Sequence, residues 1–202
     1  EELITRIKNM QNLSHEILYY GPLSQDEFVR VLNANHKTAV EPLEVAKNES
    51  FKQQIVETPV VYIAPYEAKQ ITLTKQSIKG EKYNPEIAPI HSLYNEYFGG
   101  GMNAIVFQEM REARGLAYSA NARLSSPLKL SDSYVFRATI ATQNDKMMDA
   151  LSAFDSIIND MPVSENAFNI AKEALITRLR TQRVTGSRVI YNYLNAKELG
   201  LD

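Results

Sequence analysis

The hydrophobic positions at the start of the chain recur with helical spacing. Leu3, Ile7 and Met10 are three or four residues apart, so EELITRIKNMQNL predicts the tail of a helix. The stretch EILYYG, residues 16–21, predicts a short strand because aromatic and β-branched residues favour strands. Ser24 follows a Gly-Pro turn and predicts the N-cap of a helix over QDEFVRVLN.

The stretch that follows carries no periodic pattern. Residues 37–57 are charged and aperiodic, which predicts a linker. We therefore expect residues 1–36 to be the tail of one domain and residues 58–202 to form a second, larger body.

The larger body alternates between strand and helix patterns. TPVVYIAP and KQITLTKQSIKG predict two strands, a helical spacing follows over residues 87–97, and LAYSANARLS and SYVFRATIA predict two further strands. Helical patterns over about 143–160 and 164–184, the second capped by Ser164, precede a last amphipathic stretch, VIYNYLNAKELG. This order predicts an α+β fold with a largely antiparallel sheet covered by helices.

Composition and charge exclude several classes of protein. A chain of 202 residues that is 44% hydrophobic has room for one sizeable domain. A net charge of −2 gives no sign of the positively charged surface that binds nucleic acid. No apolar run approaches the roughly 20 residues of a membrane span. The chain has no cysteine, which excludes disulfides and thiolate zinc sites.

The most distinctive stretch is FGGGMNAIVFQEMREARGLAYS, residues 98–119. Gly99, Gly100 and Gly101 fit the relaxed dinucleotide pattern G-x-G-x-x-A, but a helix rather than a strand precedes them, and Ser119 stands where an acidic residue is needed. No Gly-Lys-Ser/Thr follows, so a phosphate loop is also rejected. We expect the triplet to break one helix and start another, with at least one glycine at positive φ.

The helix after the triplet has an apolar stripe and a charged opposite side. The stripe that predicts core contacts comprises Met102, Ile105, Val106, Met110 and Ala113. Arg111 lies opposite, and Gly115 is expected to end the helix as a left-handed cap, which brings Arg111 and Tyr118 to one edge of the domain. The residues alone favour structural roles for both, since the helix dipole favours Arg111 and the parity of Tyr118 with Leu116 predicts a core tyrosine.

The same stretch resembles the signature of the pitrilysin, insulysin and mitochondrial processing peptidase family of zinc metallopeptidases. In that family a Gly-rich turn leads into a helix ending in an Arg-Glu pair, followed by a Gly-Leu-Ala-Tyr-like strand start. The resemblance continues through SDSYVFRATIAT and VSENAFNIAKEALITRLRTQRVTGS and covers residues 55–202. It implies a mixed sheet with helices on one side, repeated along a longer polypeptide, with the body of this chain truncated at its C-terminal end.

Catalysis in the family needs the inverted zinc motif H-x-x-E-H, which this chain lacks. His15, His36 and His91 are the only histidines, and no two lie within a helical turn. His91 could lie beside Glu96, but one histidine and one carboxylate make a poor metal site. We therefore expect no catalytic residue, metal or other cofactor in this chain, and zinc in a partner domain.

The resemblance implies a role in substrate binding. In the family a half without zinc ligands completes a closed chamber, and the matching residues here, Arg111 and Tyr118, would donate hydrogen bonds to peptide carbonyls. The implied partners are a zinc-bearing homologous half, in the same polypeptide or a separate subunit, and a peptide substrate. The alternative is a structural subunit related to the core proteins of a respiratory complex, without proteolysis.

Overall fold

The chain divides into two compact units. The computed structural model describes residues 1–46 and 52–201. One unit comprises Glu1–Lys52 and Val184–Ala196, and the other comprises Gln53–Arg183 and Lys197–Asp202. Part of the expected linker, residues 47–51, lies outside the described residues, so the boundary at 37–57 stays a prediction.

The first unit is helical. Its elements are α1 (Glu2–Asn9), a 3-10 turn (Met10–Asn12), α2 (Gln25–Asn35) and most of α7 (Ser187–Glu198). The predicted Ser24 cap is confirmed: its hydroxyl accepts a hydrogen bond from the backbone N–H of Glu27, and the Glu27 carboxylate accepts one from the Ser24 N–H.

The strand expected at residues 16–21 is absent, so this prediction is wrong. The stretch has no partner strand among the described residues, where the nearby backbone pairing is an isolated bridge between Leu13 and Leu43. The Tyr19 ring stacks on Phe28 of α2 at a centroid distance of 4.2 Å, and its hydroxyl accepts from the Leu23 N–H. The aromatic residue that predicted a strand packs on a helix instead.

The second unit is built on a three-stranded antiparallel sheet. The strands β1 (Gln70–Ser77), β2 (Ser119–Ser125) and β3 (Val135–Gln143) lie in the order β1-β3-β2, with both outer strands antiparallel to β3. The alternation predicted for β2 and β3 is confirmed, since Ala120 and Ala122 pair across from Ile140 and Ala138 and all four are buried.

Helices cover the buried face of this sheet. They are α3 (Ala88–Phe98), a single turn α4 (Ile105–Phe107) continued by a π-helix (Gln108–Ala113), α5 (Met147–Asn159) and α6 (Glu165–Thr181). The α3, α4 and α5 helices contact the sheet, and α6 packs on α3. The core they enclose includes Phe98, Val106, Ile140 and Ile157, each at most 2% exposed. The expected α+β fold is confirmed.

The strand expected from TPVVYIAP is also absent. Residues 58–65 have no regular structure, and Val61, Tyr62 and Ile63 are more than 80% exposed. A strand requires backbone pairing, and these residues have no pairing partner in the described part of the chain. Their composition alone could not supply one.

The prediction of an apolar stripe after the glycine triplet is only partly confirmed. Ile105, Val106 and Met110 are buried, but Met102 is 73% exposed because the helix begins only at Ile105. Ala113 is exposed because the segment continues as a π-helix, whose wider turns rotate later residues away from an α-helical stripe.

Candidate functional site

The glycine triplet holds two backbones in close contact. None of Gly99, Gly100 and Gly101 has a positive φ, so the expectation of a left-handed residue here is wrong. A Cβ on Gly99 would overlap the carbonyl oxygen of Ala122, and one on Gly100 would lie 2.6 Å from the Asn95 carbonyl oxygen. Gly101 has open space around it. Glycine is required at the first two positions because other backbone atoms occupy the space of a side chain.

Gly115 turns the chain from the π-helix toward β2. Its φ is +58°, and its N–H donates to the Arg111 carbonyl at 3.1 Å. The next two N–H groups, of Leu116 and Ala117, both donate to the Met110 carbonyl, at 2.9 and 3.2 Å. This reversal is fixed by backbone hydrogen bonds at both ends.

The backbone at Tyr118 is fixed by β3. The Tyr118 N–H donates to the Ala141 carbonyl at 2.8 Å, and the Thr142 hydroxyl donates to the Leu116 carbonyl at 2.6 Å. Tyr118 is 72% exposed, so the core position predicted from its parity with Leu116 is wrong. Tyr118 directly precedes the first residue of β2, so it lies outside the part of the strand in which alternate residues are buried.

The turn brings Arg111 and Tyr118 together. The Arg111 guanidinium carbon lies 6.0 Å from the centroid of the Tyr118 ring and 5.0 Å from that of Phe107. Two aromatic rings therefore orient one cation, each within the range of a cation–π contact. Phe107 was not predicted to contact Arg111, although its position four residues earlier places both on one helix face.

The polar ends of both side chains remain available. The Arg111 side chain is 48% exposed, and within the described part of the chain its one ionic contact is a long one, 3.8 Å from Nε to the Glu112 carboxylate. Among residues 1–46 and 52–201, neither its guanidinium nor the Tyr118 hydroxyl makes a hydrogen bond. Two oriented sets of donors thus face outward from one edge of the sheet.

The histidines do not assemble a metal centre. His15 and His36 do meet, with their Nε2 atoms 2.8 Å apart, a contact across distant positions that helical spacing could not predict. His91 packs edge-on against Tyr134 at a ring distance of 4.5 Å. No group of three histidine or carboxylate side chains with metal-binding geometry occurs among the described residues. This donor set does not fit the zinc that the resemblance places in the family.

Most of the chain matches a known protein family. The family model for the peptidase M16 inactive domain matches residues 8–175. The chain belongs to the peptidase M16 inactive domain family. The match starts upstream of residue 55, where the sequence resemblance begins, and it ends at residue 175, short of residue 202.

Solved structures of M16 and other proteases share the fold. A peptidase M16 inactive domain from Pseudomonas fluorescens is 19% identical with a TM-score of 0.51, over 68% of this chain and 32% of that one. A protease from Helicobacter pylori is 12% identical with a TM-score of 0.52, over 88% and 43%. The periplasmic protease PqqL from Escherichia coli is 16% identical with a TM-score of 0.55, over 87% and 19%.

This M16 chain spans less than half the length of each of these structures. No curated protein matches it. Within the described part of the chain, no helix combines the length and apolar character needed to cross a membrane.

Proposed function

We propose that this chain is the non-catalytic, substrate-binding half of a zinc metallopeptidase. In this proposal it completes a chamber that holds peptides for hydrolysis by a zinc-bearing half, in the same polypeptide or in a separate subunit. The observation that carries the proposal is the pairing of Arg111 with Tyr118: both are exposed, adjacent and without hydrogen bonds among the described residues.

The chemistry of the pair suits a peptide backbone. A guanidinium and a phenol both donate hydrogen bonds, and an extended peptide presents carbonyl oxygens that accept them whatever its side chains. The fixed turn at Gly115 and the contact of Tyr118 with β3 hold these donors in place before substrate arrives. Preorganised donors lose little conformational entropy on binding.

Hydrolysis itself is assigned to the other half. The chain has no H-x-x-E-H motif, and its three histidines lie at positions 15, 36 and 91. Membership of a family of inactive domains supports this division of labour. We expect the chain alone to release no product from any peptide, with or without added zinc.

The test is peptide hydrolysis by the zinc-bearing half combined with wild-type or variant forms of this chain. Tyr118→Phe keeps the ring and removes the hydroxyl, so it should lower kcat/KM about fivefold, the value of one hydrogen bond of ~1 kcal/mol. Arg111→Ala should lower it by at least as much, because a charged donor forms stronger hydrogen bonds.

Matched controls separate substrate binding from general surface effects. Tyr66→Phe and Arg180→Ala alter an exposed tyrosine and an exposed arginine elsewhere in the same unit and should leave kcat/KM unchanged. Unchanged kcat/KM in both Tyr118→Phe and Arg111→Ala would contradict the proposal. A combined sample without any peptidase activity would favour the structural-subunit alternative.

A further inference from the structure

The face of the sheet that points away from the helices is polar and open. Strand alternation places Ala120, Ala122, Ala138 and Ile140 on the covered face, so their odd-numbered neighbours in β2 and β3 lie on the opposite one. That open face carries hydroxyl and amide side chains, among them Thr74, Asn121 and Thr139. Its only charged strand residues are Arg123 and Arg137.

These two arginines face each other directly across β2 and β3. Arg123 is the register partner of Arg137, and like charges directly opposite in a sheet repel. Arg137 donates through Nε and Nη2 to the amide oxygen of Gln76, at 3.2 and 2.8 Å, which orients the guanidinium without neutralising it. Neither arginine forms an ion pair with a carboxylate among the described residues.

A shallow polar hollow adjoins Arg123. It measures about 360 Å³ and is also lined by Asn121, Gly99 and Arg178 of α6. One carboxylate, Glu96, lies in the lining, but the Arg178 Nη1 atom already holds it at 2.7 Å. The lining, which comes from β2 and from the helices α3 and α6, therefore keeps a net positive charge.

We propose that Arg123 and Arg137 bind the carboxylate of an acidic side chain in an extended peptide. The proposal rests on the proposed function and names a preference within it. A guanidinium binds a carboxylate through two parallel hydrogen bonds, and a negative charge bound near the two opposed cations would offset their mutual repulsion. The polar surroundings of the pair fit a hydrated peptide rather than an apolar partner surface.

The position of the pair favours a side chain over a peptide C-terminus. Both arginines lie in the interior of their strands: Asn121 and Thr139 follow on one side of the pair, and Ser125 and Val135 on the other. A peptide can therefore pass over the pair in both directions. A site built for a chain terminus would need a barrier on one side of the pair.

The experiment measures binding of three labelled peptides of equal length to this 202-residue chain by fluorescence anisotropy. One peptide is neutral with an amidated C-terminus, one carries two internal Glu residues and is amidated, and one is neutral with a free C-terminus. The Glu peptide should bind more tightly, by about three- to tenfold, and added salt should reduce this difference.

Variants assign the difference to the arginine pair. Arg123→Gln and Arg137→Gln should each remove most of the preference for the Glu peptide and leave binding of the neutral peptide unchanged. Arg180→Gln, on the exposed part of α6, is the matched control and should keep the preference. Circular dichroism checks that each variant is folded, which we expect because Arg123→Gln and Arg137→Gln each remove a repulsion and Arg180 is exposed.

The outcomes separate this proposal from the proposed function. Arg111→Ala should weaken binding of all three peptides. If Arg111→Ala has no effect but Arg137→Gln abolishes the preference for the Glu peptide, the proposed function fails. The arginine site then still stands. Equal binding of the Glu and neutral peptides, or no binding of either, overturns the arginine site. Tightest binding of the peptide with a free C-terminus overturns the assignment to a side chain.

Discussion

At Gly99 the residue type is dictated by a neighbouring strand. Its φ of −136° is open to any residue, so its own backbone conformation does not require glycine. A Cβ, however, would lie 2.6 Å from the Ala122 backbone nitrogen and still closer to its carbonyl oxygen. Gly101, two residues later, has no atom within 4 Å of the same position.

This difference predicts opposite results for two substitutions in one triplet. Gly99→Ala should lower the free energy of unfolding by about 1–3 kcal/mol, because α3 or β2 must shift to admit a methyl group. Gly101→Ala should change it by less than about 0.5 kcal/mol. Urea unfolding of both variants provides the measurement, and equal stabilities would show that the contact with β2 is not tight.

The residue scale also shows what a single sequence can and cannot predict. The charged side of the helix, and hence the exposure of Arg111, follows from helical periodicity. The environment of Gly99 does not, because it depends on Ala122 of β2, a contact that only the folded chain creates. For Tyr118, strand parity suggested burial, but the residue lies just before β2 and is exposed.

At the scale of elements, local signals predict helices better than strands. The α2 helix begins where its cap predicts, since Ser24 and Glu27 satisfy each other's backbone N–H groups within one turn of chain. The stretches 16–21 and 58–65 have the composition of strands, yet neither pairs within the described residues. A cap is complete within a few residues, whereas a strand depends on a distant partner that composition cannot identify.

The capping box at α2 makes a prediction about pH. Hydrogen bonds from the Ser24 side chain and then from its backbone N–H lower the pKa of Glu27 below its usual 4.5. Because the pKa is lowered in the folded state, ionised Glu27 stabilises α2 fully at pH values above its ordinary pKa. This stabilisation is lost as the pH falls through the lower pKa of the folded state. Ser24→Ala should therefore raise the pKa of Glu27.

The measurement for this prediction is an NMR titration of the Glu27 carboxyl in the wild type and in Ser24→Ala. The backbone N–H remains in the variant, so the pKa should move only part of the way back to its ordinary value. Ser164→Ala removes the equivalent cap from α6, whose third residue is Ala167, and should leave Glu27 unaffected. No difference between wild type and Ser24→Ala would show that the hydroxyl makes no lasting bond to the carboxylate.

At the scale of the whole molecule, the chain has the fold of a peptidase M16 inactive domain, and its sequence carries no H-x-x-E-H motif. Its sheet and helices match those of solved proteases at TM-scores of 0.51 to 0.55, while its sequence lacks H-x-x-E-H. Fold does not determine function, so the role of the chain depends on the side chains that its surfaces expose. Here they are the edge carrying Arg111 and Tyr118 and the open face carrying the two paired arginines.

If Arg111 and Tyr118 hold the same peptide, their effects on hydrolysis should not be additive. Loss of either donor lets the peptide shift, which weakens the bond to the other, so the double variant Arg111→Ala/Tyr118→Phe should lose less transition-state stabilisation than the sum of the singles. We expect a coupling of about 0.5 kcal/mol or more, measured from kcat/KM of the combined halves. The control cycle with Arg180→Ala and Tyr66→Phe should show none. If both single variants are impaired but their effects add strictly, Arg111 and Tyr118 contact the substrate independently. They would do so although only 6.0 Å separates the guanidinium carbon from the ring centroid.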